Sequence, residues 1–159
     1  MSVSQWAAAL EASGLGEWMR ASPLAYPVVN VIHLLGLTLL VGCILLLDLR
    51  LLGTGRQFPL RPVSALLTRF AIAGLLIQLA SGFLLFSADA GPLITNPILQ
   101  AKLAFIAFAV VNALLFRRLW QQRLDEWDHR PPLLGRAQAA ASIIAWLTVG
   151  TLGRWIAYS

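Results

Sequence analysis

Four windows of this chain, about residues 26–48, 66–88, 98–119 and 134–157, are each long and apolar enough to cross a bilayer. A spanning helix needs ~20 apolar residues. It forms because the hydrocarbon core offers no water, so every backbone N–H and C=O must be paired within the segment. The reading is an all-α integral membrane protein, a four-helix bundle with an N-terminal amphipathic interfacial helix. Its 159 residues leave room for a single membrane domain, 1–159. Only 12% of the residues are charged and 58% are apolar, where an ordinary soluble domain carries about 25% charge.

The segments between the windows carry start and stop signals. Residues 4–20, SQWAAALEASGLGEWMR, read as one helix with Ser4 as N-cap. Trp6, Leu10 and Trp18 would supply its apolar side while Glu11, Glu17 and Arg20 stay in water, the pattern of a helix lying in the interface. No basic stretch precedes it and Glu11 and Glu17 interrupt it, so it does not read as a cleaved signal. Gly53, Gly55, Pro59 and Pro62 are expected to stop the first spanning helix and delay the second. Gly91-Pro92 and Asn96-Pro97 make the second connection, with Pro97 suited to a first helical position. Pro131-Pro132 and Gly135 punctuate the third, after QQRLDEWDHR has extended its helix by a turn or two.

A net charge of +5 raises the question of nucleic acid, but the charges are placed for a membrane. Arg50, Arg56, Arg61 and Arg69 flank the first connection, and Arg117, Arg118, Arg123, Arg130 and Arg136 the third. Residues 87–97 contain no Lys or Arg, and Arg20 is the one basic residue before helix one. By the positive-inside rule both basic connections face the cytoplasm and both termini lie outside. Basic loops apposed to anionic lipid account for the charge, with no nucleic-acid partner.

Ionisable groups at membrane depth are costly and mark sites by default. His33 stands in the run YPVVNVIHLLGLTLLVGCILLL, seven residues past Tyr26 and so about 10 Å below the external edge at ~1.5 Å per residue. Lys102 stands five residues past Pro97 on a helix entering from the same side, at about 8 Å. The two reach nearly one level. A buried neutral imidazole can ligate haem iron, or can be a hydrogen-bonded structural group; Lys102 can serve a site, or snorkel to the interface. Gly36, one turn from His33, admits either a flat ligand or a close helix neighbour. Gly74, Gln78, Ser81 and Gly82 share a loose stripe on helix two, and with Asn112 suggest a polar seam. Arg154 could meet a porphyrin propionate or pair with Asp89, and Gly150, Gly153 and Ala157 give the last helix a smooth face. Asp48 and Arg50 are expected to clamp helix one through Arg69 or Arg117. Cys43, the one cysteine, reads as apolar filler, and His129 as a solvated loop residue across the bilayer from His33. One histidine, one lysine and one cysteine at another depth do not make a zinc site.

The runs YPVVNVIHLLGLTLLVGCILLLDLRLLG, NPILQAKLAFIAFAVVNALLF and GRWIAY resemble an uncharacterised family of small bacterial inner-membrane proteins over almost the whole chain. More distantly, the plan is similar to the membrane domain of copper-resistance protein D and to the four-helix membrane protoporphyrinogen oxidases. Those share an early helix-one histidine followed by a glycine, and a lysine opening a later helix; in the oxidases this pair is implicated in haem binding and activity. The resemblance implies such roles for His33 and Lys102. DLRLLG stands where the oxidases carry an aromatic- and arginine-rich end of helix one.

Together these readings point to a multi-pass protein of the bacterial inner membrane holding haem b near its external face. His33 is the metal ligand, and Gly36, Lys102 and Arg154 complete the cofactor site. Electron transfer, or porphyrin or quinone redox chemistry, would be its role, with a homo-oligomer supplying a second His33 if ligation is bis-histidine. The alternative is a non-enzymatic membrane subunit or small transport component with a polar His/Lys pocket.

Overall fold

The structure, a computed structural model, describes residues 2–158 apart from the side chain of Ala157; Ala157 of the smooth face therefore lies outside the described residues. They form an all-helical fold with α1 (Val3–Glu11), α2 (Gly14–Ala21), α3 (Ala25–Leu52), α4 (Leu60–Ala88), α5 (Ala90–Thr95), α6 (Pro97–Trp120) and α7 (Leu133–Trp155). Four of these, α3, α4, α6 and α7, are long and apolar enough to span a membrane. Their outward faces are lined with Leu, Ile, Val and Phe, as lipid contact requires.

The N-terminal segment is two helices rather than one. Ser2, not Ser4, caps α1 in a reciprocal capping box with Gln5, and Ser13 breaks the run by capping α2. Glu11 and Arg20 are not simply solvated either. Glu11 accepts from the Gly91 N–H at 2.7 Å, and Arg20 donates to the Ala88 carbonyl at 2.7 Å and the Glu11 carbonyl at 2.9 Å. With Met19 buried and Trp6 stacked on Phe86, the pair sits as a cap on one end of the bundle. Polar ties to exposed backbone at a helix end, invisible in the amphipathic pattern, decide this.

The spanning helices run further toward the arginine-rich end than the apolar windows suggest. Gly53 ends α3 in the left-handed region at φ +115°, where the Thr54 N–H reaches back to the Leu49 carbonyl at 3.0 Å. Pro59 and Pro62 do not delay α4. It begins at Leu60, and Pro62 lies in the first turn, where a missing N–H costs no helical bond. Gly91-Pro92 lies within the short helix α5. Asn96 caps α6 through its side-chain oxygen, with Pro97 at the first position as expected.

Beyond α6 the chain makes a single 3-10 turn, Gln121–Arg123, and folds back instead of continuing outward. Leu124 and Trp127 are buried with Leu51, Leu60 and Ala139, and the Trp127 indole donates to the Leu51 carbonyl at 3.0 Å. Gly135 leaves the space that the Trp127 ring fills. The same segment brings Asp128 to Arg50, which is only 4% exposed. Two donations, at 2.9 and 2.6 Å, hold the pair, and Arg50 Nε reaches the Phe58 carbonyl. The clamp is thus Arg50 with Asp128, not an ion pair to Arg69 or Arg117, and Asp48 stands apart from it.

Hydrogen bonding from Arg50 holds the Asp128 carboxyl below the usual carboxylate range. A depressed folded value stabilises above the unfolded pKa, ~3.9, and the contribution is lost as pH falls through the folded one. Asp128 is about a third exposed on its side chain. An Asp128→Asn change should therefore cost about 2 kcal/mol, between an exposed pair and a buried one. Thermal unfolding in detergent should show that gap at pH 7 and its closing in acid; a gap independent of pH would refute the assignment.

In the bundle α3 packs on α4 and α7, and α7 on α6, while α4 and α6 stay apart. A cavity of about 570 Å³ occupies that unclosed side, toward the arginine-rich end.

Candidate functional site

The polar seam lies between α3 and α4 at the end opposite the arginine-rich loops. Close approach of the two helices creates it. A Cβ on Gly74 would lie 2.6 Å from the Leu40 amide nitrogen and 2.9 Å from the Gly36 carbonyl, and one on Gly36 would lie 2.6 Å from Ile77 Cγ2. Without a hydrophobic drive between helices in lipid, small residues are what let two backbones come this near. Gly36 therefore serves helix contact, and Ile77 and Gly74 fill the face on which a flat ligand would have lain.

One turn along, His33 is half-buried, and its Nδ1 lies 2.8 Å from Ser81 Oγ. Ser81 Oγ–H donates to the Ile77 carbonyl at 2.5 Å. A hydroxyl has one proton, so Ser81 can only accept from His33. Neutral His33 is thereby protonated at Nδ1, and its Nε2 keeps a bare lone pair with no hydrogen bond to a described residue. Gln78 Nε2 donates to the His33 carbonyl, closing a second tie between the helices. Gly82 flanks the ring, where a Cβ would lie 3.2 Å from Cε1. The stripe Gly74, Gln78, Ser81 and Gly82 is thus the partner of His33.

Lys102 is partly buried beside α7, where a Cβ on Gly153 would lie 3.2 Å from its Nζ. Its charge acts on His33 electrostatically, but no hydrogen bond joins the two among the described residues. It forms no ion pair among the described residues. Arg154 does not join them. It is exposed, donates to the Tyr158 hydroxyl at 2.6 Å and lies over that ring. Among the described residues it makes no ion pair with Asp89. Asn112 donates to the Gln138 carbonyl, tying α6 to α7 away from the His33 seam. His129 is exposed in the arginine-rich connection. No group of three or more His, Cys, Asp or Glu that could hold a metal ion occurs among the described residues.

The cavity at the other end holds Asp48, which the sequence reading assigned to a clamp, and Trp146, which it did not single out. Among the described residues, one carboxylate oxygen of Asp48, 6% exposed, and the indole N–H of Trp146, 4% exposed, have no hydrogen-bond partner. Asp48 faces Ser142 on α7, one turn from Trp146. An acidic residue inside the run CILLLDLRLL was the available signal, but its neighbour Arg50 made it look like half of a clamp.

The model of a family of unknown function, DUF6644, matches residues 7–159, nearly the whole chain. No curated protein and no solved structure matches. The chain belongs to that family.

Proposed function

We propose that this family member binds b-type haem through His33 and works in electron transfer, or in porphyrin or quinone redox chemistry, in a bacterial inner membrane. The observation that carries the reading is the Ile77–Ser81–His33 relay. Metal-ligating histidines characteristically donate their other ring N–H to a fixed acceptor, which sets the tautomer and the ring orientation. Here Ser81 takes Nδ1–H and Nε2 is left free. Iron in such a site would exchange single electrons. Lys102, within electrostatic reach, would balance a propionate; Arg154 would first have to leave Tyr158.

The 570 Å³ cavity does not include His33, so a macrocycle there would lie against helix surfaces rather than inside it. A second copy supplying its own His33 would enclose it and give bis-histidine ligation. The arginine distribution supports cytoplasmic basic loops and external termini, which puts His33 toward the external face. The distant likeness to copper-resistance protein D and the protoporphyrinogen oxidases, through an early helix-one histidine and a later lysine, points the same way.

The test is a visible spectrum, oxidised and then dithionite-reduced, of protein purified in mild detergent from haem-sufficient cells. A Soret band with a reduced α-band, near one haem per chain or per pair of chains, is expected. Folded, colourless protein would overturn the reading. It would favour a membrane subunit or transport component, in which the His33–Ser81 and Gln78–His33 bonds simply tie α3 to α4.

A further inference from the structure

Two polar groups on side chains more than nine-tenths buried, in one cavity, each lack a partner among the described residues: a carboxylate oxygen of Asp48 and the Nε1–H of Trp146. Each orphan of this kind costs about 1–3 kcal/mol. Both line the space between α3, α4, α6 and α7, whose walls are otherwise largely apolar, with Leu40, Ile44, Leu75 and Phe116 among them. Its volume of about 570 Å³ is that of a small-molecule site. Since α4 and α6 line it from opposite sides without packing on each other, its open side lies between two spanning helices, where lipid would stand.

The two orphans select the occupant by elimination. An indole N–H can only donate, so it needs an acceptor atom. A carboxyl group takes a donor when ionised and gives a proton when neutral. A metal ion or an alkylammonium would satisfy Asp48 and leave Trp146 orphaned. An anion would suit Trp146 and meet the Asp48 charge. A quinone carbonyl accepts from Trp146 or from a protonated Asp48, and a quinol hydroxyl accepts from Trp146 or donates to an ionised Asp48, so the two oxygen types on an apolar body suit both groups.

We propose that the cavity between α4 and α6 receives the head group of a lipid-soluble quinone or quinol, held by Trp146 Nε1–H and the Asp48 carboxyl. The proposal does not rest on the haem reading, because neither His33 nor Lys102 lines this space. Arg61, Arg69 and Arg117 also line it; Arg61 is engaged by Asp125 at 2.7 Å and Arg117 donates to the Gln121 side chain at 3.3 Å.

Ubiquinone-1 binding to the full chain in detergent, followed by equilibrium dialysis, tests it. Saturable binding is expected, weakened roughly tenfold by Trp146→Phe and by Asp48→Leu, each of which removes one hydrogen bond. Both variants should still fold. Trp146→Phe deletes a donor that has no partner among the described residues but shrinks a ring packed against Leu40 and Val149, so its thermal midpoint should fall modestly. Asp48→Leu keeps the side-chain volume while losing the contact with Ser142. Ala113→Phe, which fills the cavity with both polar groups intact, should abolish binding. Absence of saturable binding, as for a cavity holding only water, would overturn the proposal. So would equal affinity across the three variants, or tighter binding of the apolar cation tetraphenylphosphonium.

Discussion

A His33→Ala variant should reach the membrane intact and carry no haem. The substitution removes Nε2, the proposed ligand, and one hydrogen bond, Nδ1–H to Ser81. That bond contributes about 1 kcal/mol, and Ser81 retains the Ile77 carbonyl as partner, so the fold survives. Loss of colour would then report ligation rather than unfolding. Ser81→Ala separates the two roles further: haem should remain, but with the tautomer freed, the reduced spectrum and midpoint potential should shift. Lys102→Ala should change the potential and leave the haem content alone. Normal haem in His33→Ala would end the ligand assignment, and identical spectra for Ser81→Ala would remove the relay from it.

The second large effect belongs to a residue that touches no ligand. Gly74→Val should destabilise the bundle by about 3 kcal/mol or more, the upper range for overpacking. The reason is what the new side chain meets. At 2.6 and 2.9 Å lie the Leu40 nitrogen and the Gly36 carbonyl, backbone atoms with no rotamer to yield. Helices α3 and α4 would have to separate, and the His33–Ser81 bond two turns along α4 would lengthen with them. The reduced spectrum and midpoint potential should therefore shift as they do for Ser81→Ala, with residue 33 itself unchanged. Gly42→Ala is the control, since nothing lies within 4 Å of a Cβ there; it should be neutral or slightly stabilising, because alanine is the better helix former. Equal unfolding midpoints for the two variants in detergent would remove the close crossing as the organiser of the seam.

Part of this site is legible in the order of residues. His33 and Lys102 stand out because ionisable groups are rare in apolar runs, and helical rise alone brings them to one level. The stripe Gly74, Gln78, Ser81, Gly82 is legible as a stripe, because residues three and four apart share a helix face. That this stripe faces His33, and that Ser81 thereby decides which ring nitrogen carries the proton, is not legible. It depends on the rotation of α4 against α3, which no periodicity within either helix specifies. Arg154 illustrates the opposite case. Its sequence position suits a propionate, yet Tyr158, one turn further along, meets it first.

The fold of the connections divides in the same way. Asn96-Pro97 and Gly53 act on their own backbone, so capping chemistry read from sequence matches what forms. Trp127 and Asp128 read from sequence as a polar extension of α6, and only the space at Gly135 and the buried Arg50 fold them back against the bundle.

The four spanning helices follow from apolar length alone, since a bilayer admits few backbone arrangements and length selects among them. The charge asymmetry between the two ends follows as directly, because it is a matter of which residues occupy which connection. Which helix faces meet is settled only when the helices pack. Helices in lipid are apolar all round, so small residues and a few hydrogen bonds choose the neighbours. From that choice come the close contact of α3 with α4, the separation of α4 from α6, and the cavity that leaves Asp48 and Trp146 without partners.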